Sequence, residues 1–197
     1  TRHCGTLEII RDVDADVSRL RDIVVHLRAL ANPGRANLER FDFNAMVSEV
    51  VRLLRHEAAT RQVDLTIDTG PDLPLVEGDA VQLSQVVLNR ARNAFDACGE
   101  TAAASGSVRI RTRANGSGGI VLDVSDTGTG IAEQLMDGLF APFFTTKRDG
   151  LGMGLRLSRT IIRTHGGTIE AFNNPGGCGA TFRVTLPANH VNGYSKV

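Results

Sequence analysis

Asn89 and Asn93 stand four residues apart in a stretch whose apolar residues recur at helical spacing, so both amides project from one helix face, one turn above the other. An amide oxygen is a hard, neutral ligand that magnesium accepts beside phosphate oxygens; the same pair also suits a solvated face or a cap. Asp126-Thr127-Gly128-Thr129-Gly130 follows directly on a strand pattern. Its glycines let the backbone turn tightly against a flat ligand, and a carboxylate there can accept a hydrogen bond from an exocyclic amine such as that of adenine. Read alone, it is equally a turn. Gly150-Leu151-Gly152-Met153-Gly154 precedes a helix from Leu155, which brings free backbone amides and the positive helix end to one point suited to polyphosphate, or else forms a flexible linker. It has no following Lys-Ser/Thr pair and no preceding apolar strand, so it is neither a P-loop nor a dinucleotide fingerprint. Between the two glycine segments lies Phe140-Ala141-Pro142-Phe143-Phe144-Thr145-Thr146-Lys147. Its aromatics can pack a loop onto the core or a partner helix, and its Thr-Thr-Lys end can reach anionic oxygens.

These segments need a frame. Leu7, Ile10, Val13, Val17, Leu20, Val24, Leu27 and Leu30 predict a long amphipathic helix stopped by Asn32-Pro33-Gly34. Asn44 is expected to cap a second helix through Met46, Val47, Val50, Val51, Leu54 and Ala58. Val63 to Asp68 alternates as a strand, and a proline-bearing loop covers Gly70 to Gly78. Asp79 opens a third helix that ends by Gly99. Val108 to Arg113 and Ile120 to Ser125 form a hairpin around Asn115 to Gly119, and a helix runs from Leu155 to about His165. Gly167 to Phe172 and Ala180 to Leu186 are two more strands around the turn from Asn173 to Gly179. Strands joined mostly as hairpins, with helices able to cover one face, predict an α+β two-layer sandwich preceded by one long helix.

The bulk properties agree with a globular chain. In 197 residues, 22 Lys+Arg balance 22 Asp+Glu, so net charge offers no case for a nucleic-acid or anionic-membrane binder. Cys4, Cys98 and Cys178 are odd in number and far apart, which suits a reducing compartment rather than a disulfide framework or a zinc site. No apolar run approaches the roughly 18 residues of a membrane span. The start at Thr1 rather than Met is expected of an excised fragment.

Taken together and in order, the four segments resemble the catalytic domain of sensor histidine kinases of the GHKL ATPase superfamily, in particular those of the nitrogen-regulation and oxygen-sensing type. Gln85 to Ala94 resembles the family's asparagine box, Asp126 to Gly130 its first glycine box, Phe140 to Lys147 its phenylalanine box and Gly150 to Leu155 its second glycine box; His165-Gly166-Gly167 and Gly179-Ala180-Thr181-Phe182 complete the pattern. The resemblance implies ATP and Mg2+ as cofactors. It implies that Asp126 takes the adenine amine, that Thr181 helps fix the ring and that Ile131 lines the pocket, with Gly128 and Gly130 shaping it. Asn93 would ligate magnesium. Arg92, Thr145, Thr146 and Lys147 would contact phosphates; residues 140–152 would form a short ATP lid, with Gly152 and Gly154 presenting amides to phosphate and Gly150, Leu151, Met153 and Leu155 as further nucleotide-binding positions of the second glycine box. Asn89, Asn93 and Lys147 are the expected catalytic residues. Hydrolysing members carry a glutamate where this chain has Asn89, and an amide is no general base, so phosphoryl transfer is favoured over hydrolysis.

The resemblance further implies residues 1–34 as part of a dimerisation helix, residues 35–190 as the ATP-binding domain and residues 191–197 as a tail. It implies a response-regulator receiver domain as partner, a homodimer through a helical hairpin in the full-length protein, and no nucleic acid or direct membrane contact. The location would be the cytoplasm, either free or as the cytoplasmic part of a membrane receptor. The family's phosphate-accepting histidine is not matched: His3-Cys4-Gly5 lacks the following acidic residue, and about 24 helical residues at about 1.5 Å each would hold His3 about 36 Å from the connector. His26 reads as a solvated or packing residue. Arg90 and Arg156 occupy positions usually apolar or small, which would weaken packing or mark an unusual partner surface. Two other readings stay open: a degenerate nucleotide-binding scaffold without phosphotransfer, and a serine kinase of the anti-sigma-factor type.

Overall fold

The computed structural model describes residues 38–101, 105–141, 152 and 154–188. The long helix expected from Leu7 to Leu30 and residues 142–151 of the lid fall outside them. Strand β1 (Glu39–Phe41) leads into helix α1 (Phe43–Thr60). The cap of α1 is Asp42, whose Oδ1 accepts the Ala45 N–H at 3.1 Å, and not Asn44 as expected. Asn44 already lies inside the first turn, where its amide donates to the Gly70 carbonyl at 2.9 Å and accepts the Thr112 hydroxyl at 2.6 Å. The carboxylate two residues earlier is the better-placed acceptor, and Phe43, 1% exposed, anchors the helix start in the core.

Strand β2 (Val63–Thr69) follows, then β3 (Val76–Gly78), which pairs antiparallel with β1 where a loop was expected. Helix α2 (Ala80–Gly99) opens as predicted on Asp79, whose Oδ1 accepts from the amides of Val81 and Gln82, each at 3.0 Å. Strands β4 (Gly106–Ala114) and β5 (Ile120–Asp126) form the expected hairpin. In its turn the Asn115 side-chain oxygen takes the Gly119 amide at 2.6 Å. A single turn, α3 (Glu133–Met136), interrupts the glycine-punctuated stretch; helix α4 (Gly154–Thr164), β6 (Thr168–Asn173) and β7 (Ala180–Leu186) complete the fold.

The main sheet has the order β2-β4-β5-β7-β6. β2 runs parallel to β4, and every other neighbour is antiparallel. A parallel pair needs a crossover, and α2 lies within it. Helices α1, α2 and α4 cover one face of the sheet. Val47, Val50 and Leu54 of α1, Leu83, Val87 and Ala91 of α2, and Ile161 and Ile162 of α4 form one core with Val108, Ile110, Leu122, Val124, Val184 and Leu186. Burying each such side chain is worth roughly 1.5–3 kcal/mol, and this fixes the sheet's register because a one-residue slip would turn the apolar set outward. The two-layer α+β arrangement is as expected. Alternation puts Asp123, Ser125, Thr181 and Arg183 on the opposite face, where Arg183 grips Asp123 by two hydrogen bonds of 2.7 and 2.8 Å. No described helix is long and apolar enough to cross a membrane.

Candidate nucleotide site

The site begins at the last residue of β5. Asp126 is 4% exposed, and its Oδ1 accepts two backbone amides, from Gly128 at 2.8 Å and Ala180 at 3.2 Å. Both bonds fall on one oxygen, which leaves Oδ2 as the acceptor for a ligand. Burial pushes the Asp126 carboxyl above its ordinary range, and the two amides pull the other way without cancelling the effect.

Two glycines make this placement possible. A Cβ on Gly128 would lie 2.6 Å from the carbonyl group of Ala97, so the loop after β5 rests directly on α2, one turn beyond Asn93. Gly179 has φ +76°, and a Cβ there would collide with the Asp126 carbonyl oxygen. Two asparagines of the β6–β7 turn finish the wall. Asn173 accepts the Ile131 N–H at 2.7 Å and donates to the Ile131 carbonyl at 2.8 Å, holding that residue as a strand neighbour would. Asn174 donates to the Asp126 carbonyl at 2.7 Å and accepts the Thr181 hydroxyl at 2.6 Å.

Helix α2 supplies the second side. Asn89 and Asn93 are both half-buried, and the Asn89 oxygen accepts the Gln85 amide at 3.0 Å. The third side is the start of α4, where Gly152 has φ +64° and the Ser158 hydroxyl caps back to the Gly154 carbonyl at 2.9 Å. The frame between α2 and α4 is closed at its far end by His165, 2% exposed. Its Nε2 accepts the Asp79 N–H at 3.0 Å while Nδ1 lies 2.7 Å from the Ile161 carbonyl, so the proton sits on Nδ1. These three elements frame the candidate cleft: the end of β5 offers an amine acceptor and the start of α4 a positive helix terminus.

A family model described as histidine kinase-, DNA gyrase B- and HSP90-like ATPase matches residues 78–190, which contain every part of this cleft. The chain belongs to that ATPase family. Sensor histidine kinase ZraS of Klebsiella oxytoca is 34% identical over 98% of this chain, which spans 39% of that relative's length. The nucleotide-free catalytic domain of histidine kinase ThkA is 31% identical with a TM-score of 0.68, the match covering 77% of this chain and 95% of that one. A structure of ThkA in complex with response regulator protein TrrA matches with a TM-score of 0.71 at 29% identity, over 90% of this chain and 49% of that one.

The structure packs Gly128, beside Asp126, on Ala97 and ties Ile131, next to Gly130, to Asn173; Asn89 and Asn93 lie on the same helix as Ala97. Gly152, Gly154 and Leu155 stand at the start of α4. Thr145, Thr146, Lys147, Gly150, Leu151 and Met153 lie outside the described residues. Two of the expected side chains are held by other partners in this structure. Thr181 is out of phase with Phe182 and Val184, and its hydroxyl bonds Ser125 at 2.7 Å on the helix-free face; the β7 group that meets the Asp126 carboxylate is the Ala180 amide. Arg92 points toward α1, where its Nε donates to Glu57 at 3.0 Å, away from the start of α4. Asn173 and Asn174, which hold the loop after β5, went unselected as site residues. The two asparagines beside Pro175-Gly176-Gly177 carry an ordinary turn signature, and nothing local distinguishes a turn that also grips the opposite loop.

Proposed function

We propose that this chain is the ATP-binding catalytic part of a sensor histidine kinase, transferring the γ-phosphoryl group of ATP to a histidine on a hairpin helix outside residues 1–197, for relay to a response-regulator aspartate. The observation that carries the reading is Asp126: buried and held at one oxygen by two amides, at the end of the strand whose following loop rests on the helix that carries Asn89 and Asn93. Oδ2 would accept the adenine amine, Ile131 would line the ring, and the amides after Gly152 would receive phosphate oxygens.

The donor set fits magnesium. Among the described residues there is no cluster of three His, Cys, Asp or Glu, so a divalent ion here would draw its ligands from phosphate oxygens, water and one protein amide, that of Asn93. This is a common arrangement for magnesium on a nucleotide. Such an ion, held by Asn93, would supply positive charge against the phosphate oxygens. In the transfer the bond from the γ-phosphorus to the β–γ bridging oxygen breaks, a bond to the acceptor imidazole nitrogen forms, and ADP leaves with the electron pair. The protein's part is positioning, since Asn89, tied to Gln85, offers no base to activate water.

The same reading assigns residues 1–34 to a dimerisation helix, 35–190 to the catalytic domain and 191–197 to a tail, in a homodimeric parent located in the cytoplasm or on its membrane face. Incubating the chain with γ-labelled ATP, magnesium and a separate hairpin fragment carrying a histidine tests it. Label on the hairpin that is acid-labile and alkali-stable is expected. No transfer with intact nucleotide binding points to a scaffold, and acid-stable label points to a hydroxyl acceptor.

A further inference from the structure

Arg90 is the one large side chain of the α2 core face that should not be there by size or charge. It is 0% exposed, and none of Nε, Nη1 and Nη2 has a hydrogen-bond partner among the described residues. Its guanidinium carbon lies 5.1 Å from the centre of the Phe182 ring, which orients the plane without satisfying any N–H. Its Nη2 is 3.9 Å from the point where a Cβ of Gly154 would stand, so the guanidinium sits beneath the first residue of α4. Phe182 is two positions along β7 from Ala180, whose amide holds Asp126. The cation therefore lies between β7, whose Ala180 amide holds Asp126, and the first residue of α4.

A buried cation left unpaired is strongly unfavourable. Burial pushes Arg90 down to about 9, which leaves it protonated at neutral pH. The expectation that an arginine here marks a partner surface is overturned, since nothing of it reaches the surface. Two independent observations then converge on one point: a helix N-terminus of an eleven-residue helix, and an unpartnered, fully buried guanidinium against it. Each supplies positive charge and free N–H groups, and together they call for an anion.

We propose that Arg90 is a nucleotide-binding residue, covered beneath the first residue of α4 in the free protein and pairing its charge with the phosphate chain of ADP or ATP only when nucleotide binding uncovers it. This rests on the nucleotide reading of the cleft and deepens it. Helix amides and the asparagine face hold the phosphates from the sides; Arg90 adds a charge-assisted donor from below, in a dry setting where such a bond is strongest. It follows that the free protein is less stable than its packing would allow, and that nucleotide relieves the difference.

Arg90→Met keeps the volume and removes the charge. We expect the full chain carrying it to unfold at higher urea than wild type without nucleotide, while its Kd for ADP, by calorimetry, weakens about tenfold or more. Its affinity for adenosine, measured by competition, should stay within about twofold. Arg90→Lys should retain part of the ADP affinity. Wild type binding neither ADP nor adenosine would remove the nucleotide reading itself. With wild-type binding intact, unchanged ADP affinity in Arg90→Met, or equal losses for ADP and adenosine, would make Arg90 a packing residue and end the proposal. Should Arg90→Met fail to fold, Arg90→Lys decides by the same ratio of ADP to adenosine loss.

Discussion

Asp126 carries a charge in a place that resists it, and this gives the cleft a pH dependence. Its folded pKa is raised above the roughly 3.9 of a free carboxylate. The ionised form is the one that folding penalises, so Asp126 subtracts stability above its folded pKa and the penalty vanishes below its unfolded pKa. On the proposed nucleotide reading the adenine amine would donate a hydrogen bond to the ionised form, so affinity should fall as pH drops through that raised value. ADP titrations from pH 7 downward should show the loss beginning at a higher pH than an ordinary carboxylate would produce, and Asp126→Asn should bind weakly at every pH with the dependence gone. Arg92 offers the opposite expectation. Its partner is Glu57 on a half-exposed surface, and such a pair is worth less than about 1 kcal/mol. Arg92→Ala should therefore leave the Kd for ADP within about twofold; a tenfold loss would show that the side chain leaves Glu57 to reach phosphate.

Elements read well from the sequence where one local rule decides, and poorly where a distant partner does. Asp79 opens α2 and Asn115 closes the β4–β5 turn because both act on amides within four residues. The β1–β3 pair went unread because three-residue strands have too few alternations to register, and only the approach of residues 39–41 to 76–78 creates them. The face of Thr181 follows from the period of two that sets it opposite to Phe182, but its hydroxyl partner Ser125 comes from a neighbouring strand and is not legible locally. His165 shows what a distant partner adds. It joins the first turn of α2 to the last turn of α4 through the Asp79 N–H and the Ile161 carbonyl, and a Cβ on Gly78 would sit 2.7 Å from its ring. His165→Ala leaves a buried amide unpaired and a cavity, at a cost of about 2–4 kcal/mol. Urea denaturation should show that loss, and hydrogen exchange should show the ends of α2 and α4 opening first.

At the scale of the whole molecule the cleft belongs to no single segment. Asp126 ends β5, yet one of its two amide donors and the glycine packed against its carbonyl come from the start of β7, more than fifty residues later. A chain that has lost β7 should have no nucleotide site even if α2 and β5 persist. Urea transitions followed by circular dichroism and by ADP binding should therefore coincide, and a binding loss well ahead of the loss of secondary structure would mean that β7 detaches alone. The same dependence has a meaning during synthesis. Domains fold as their residues leave the ribosome, at about 5–20 residues per second. The β2–β4 pair and its crossover helix are complete while β7 is still in the exit tunnel, so a nascent chain cannot hold nucleotide, and cellular ATP can act as a late clamp on finished molecules but never as a template for unfinished ones.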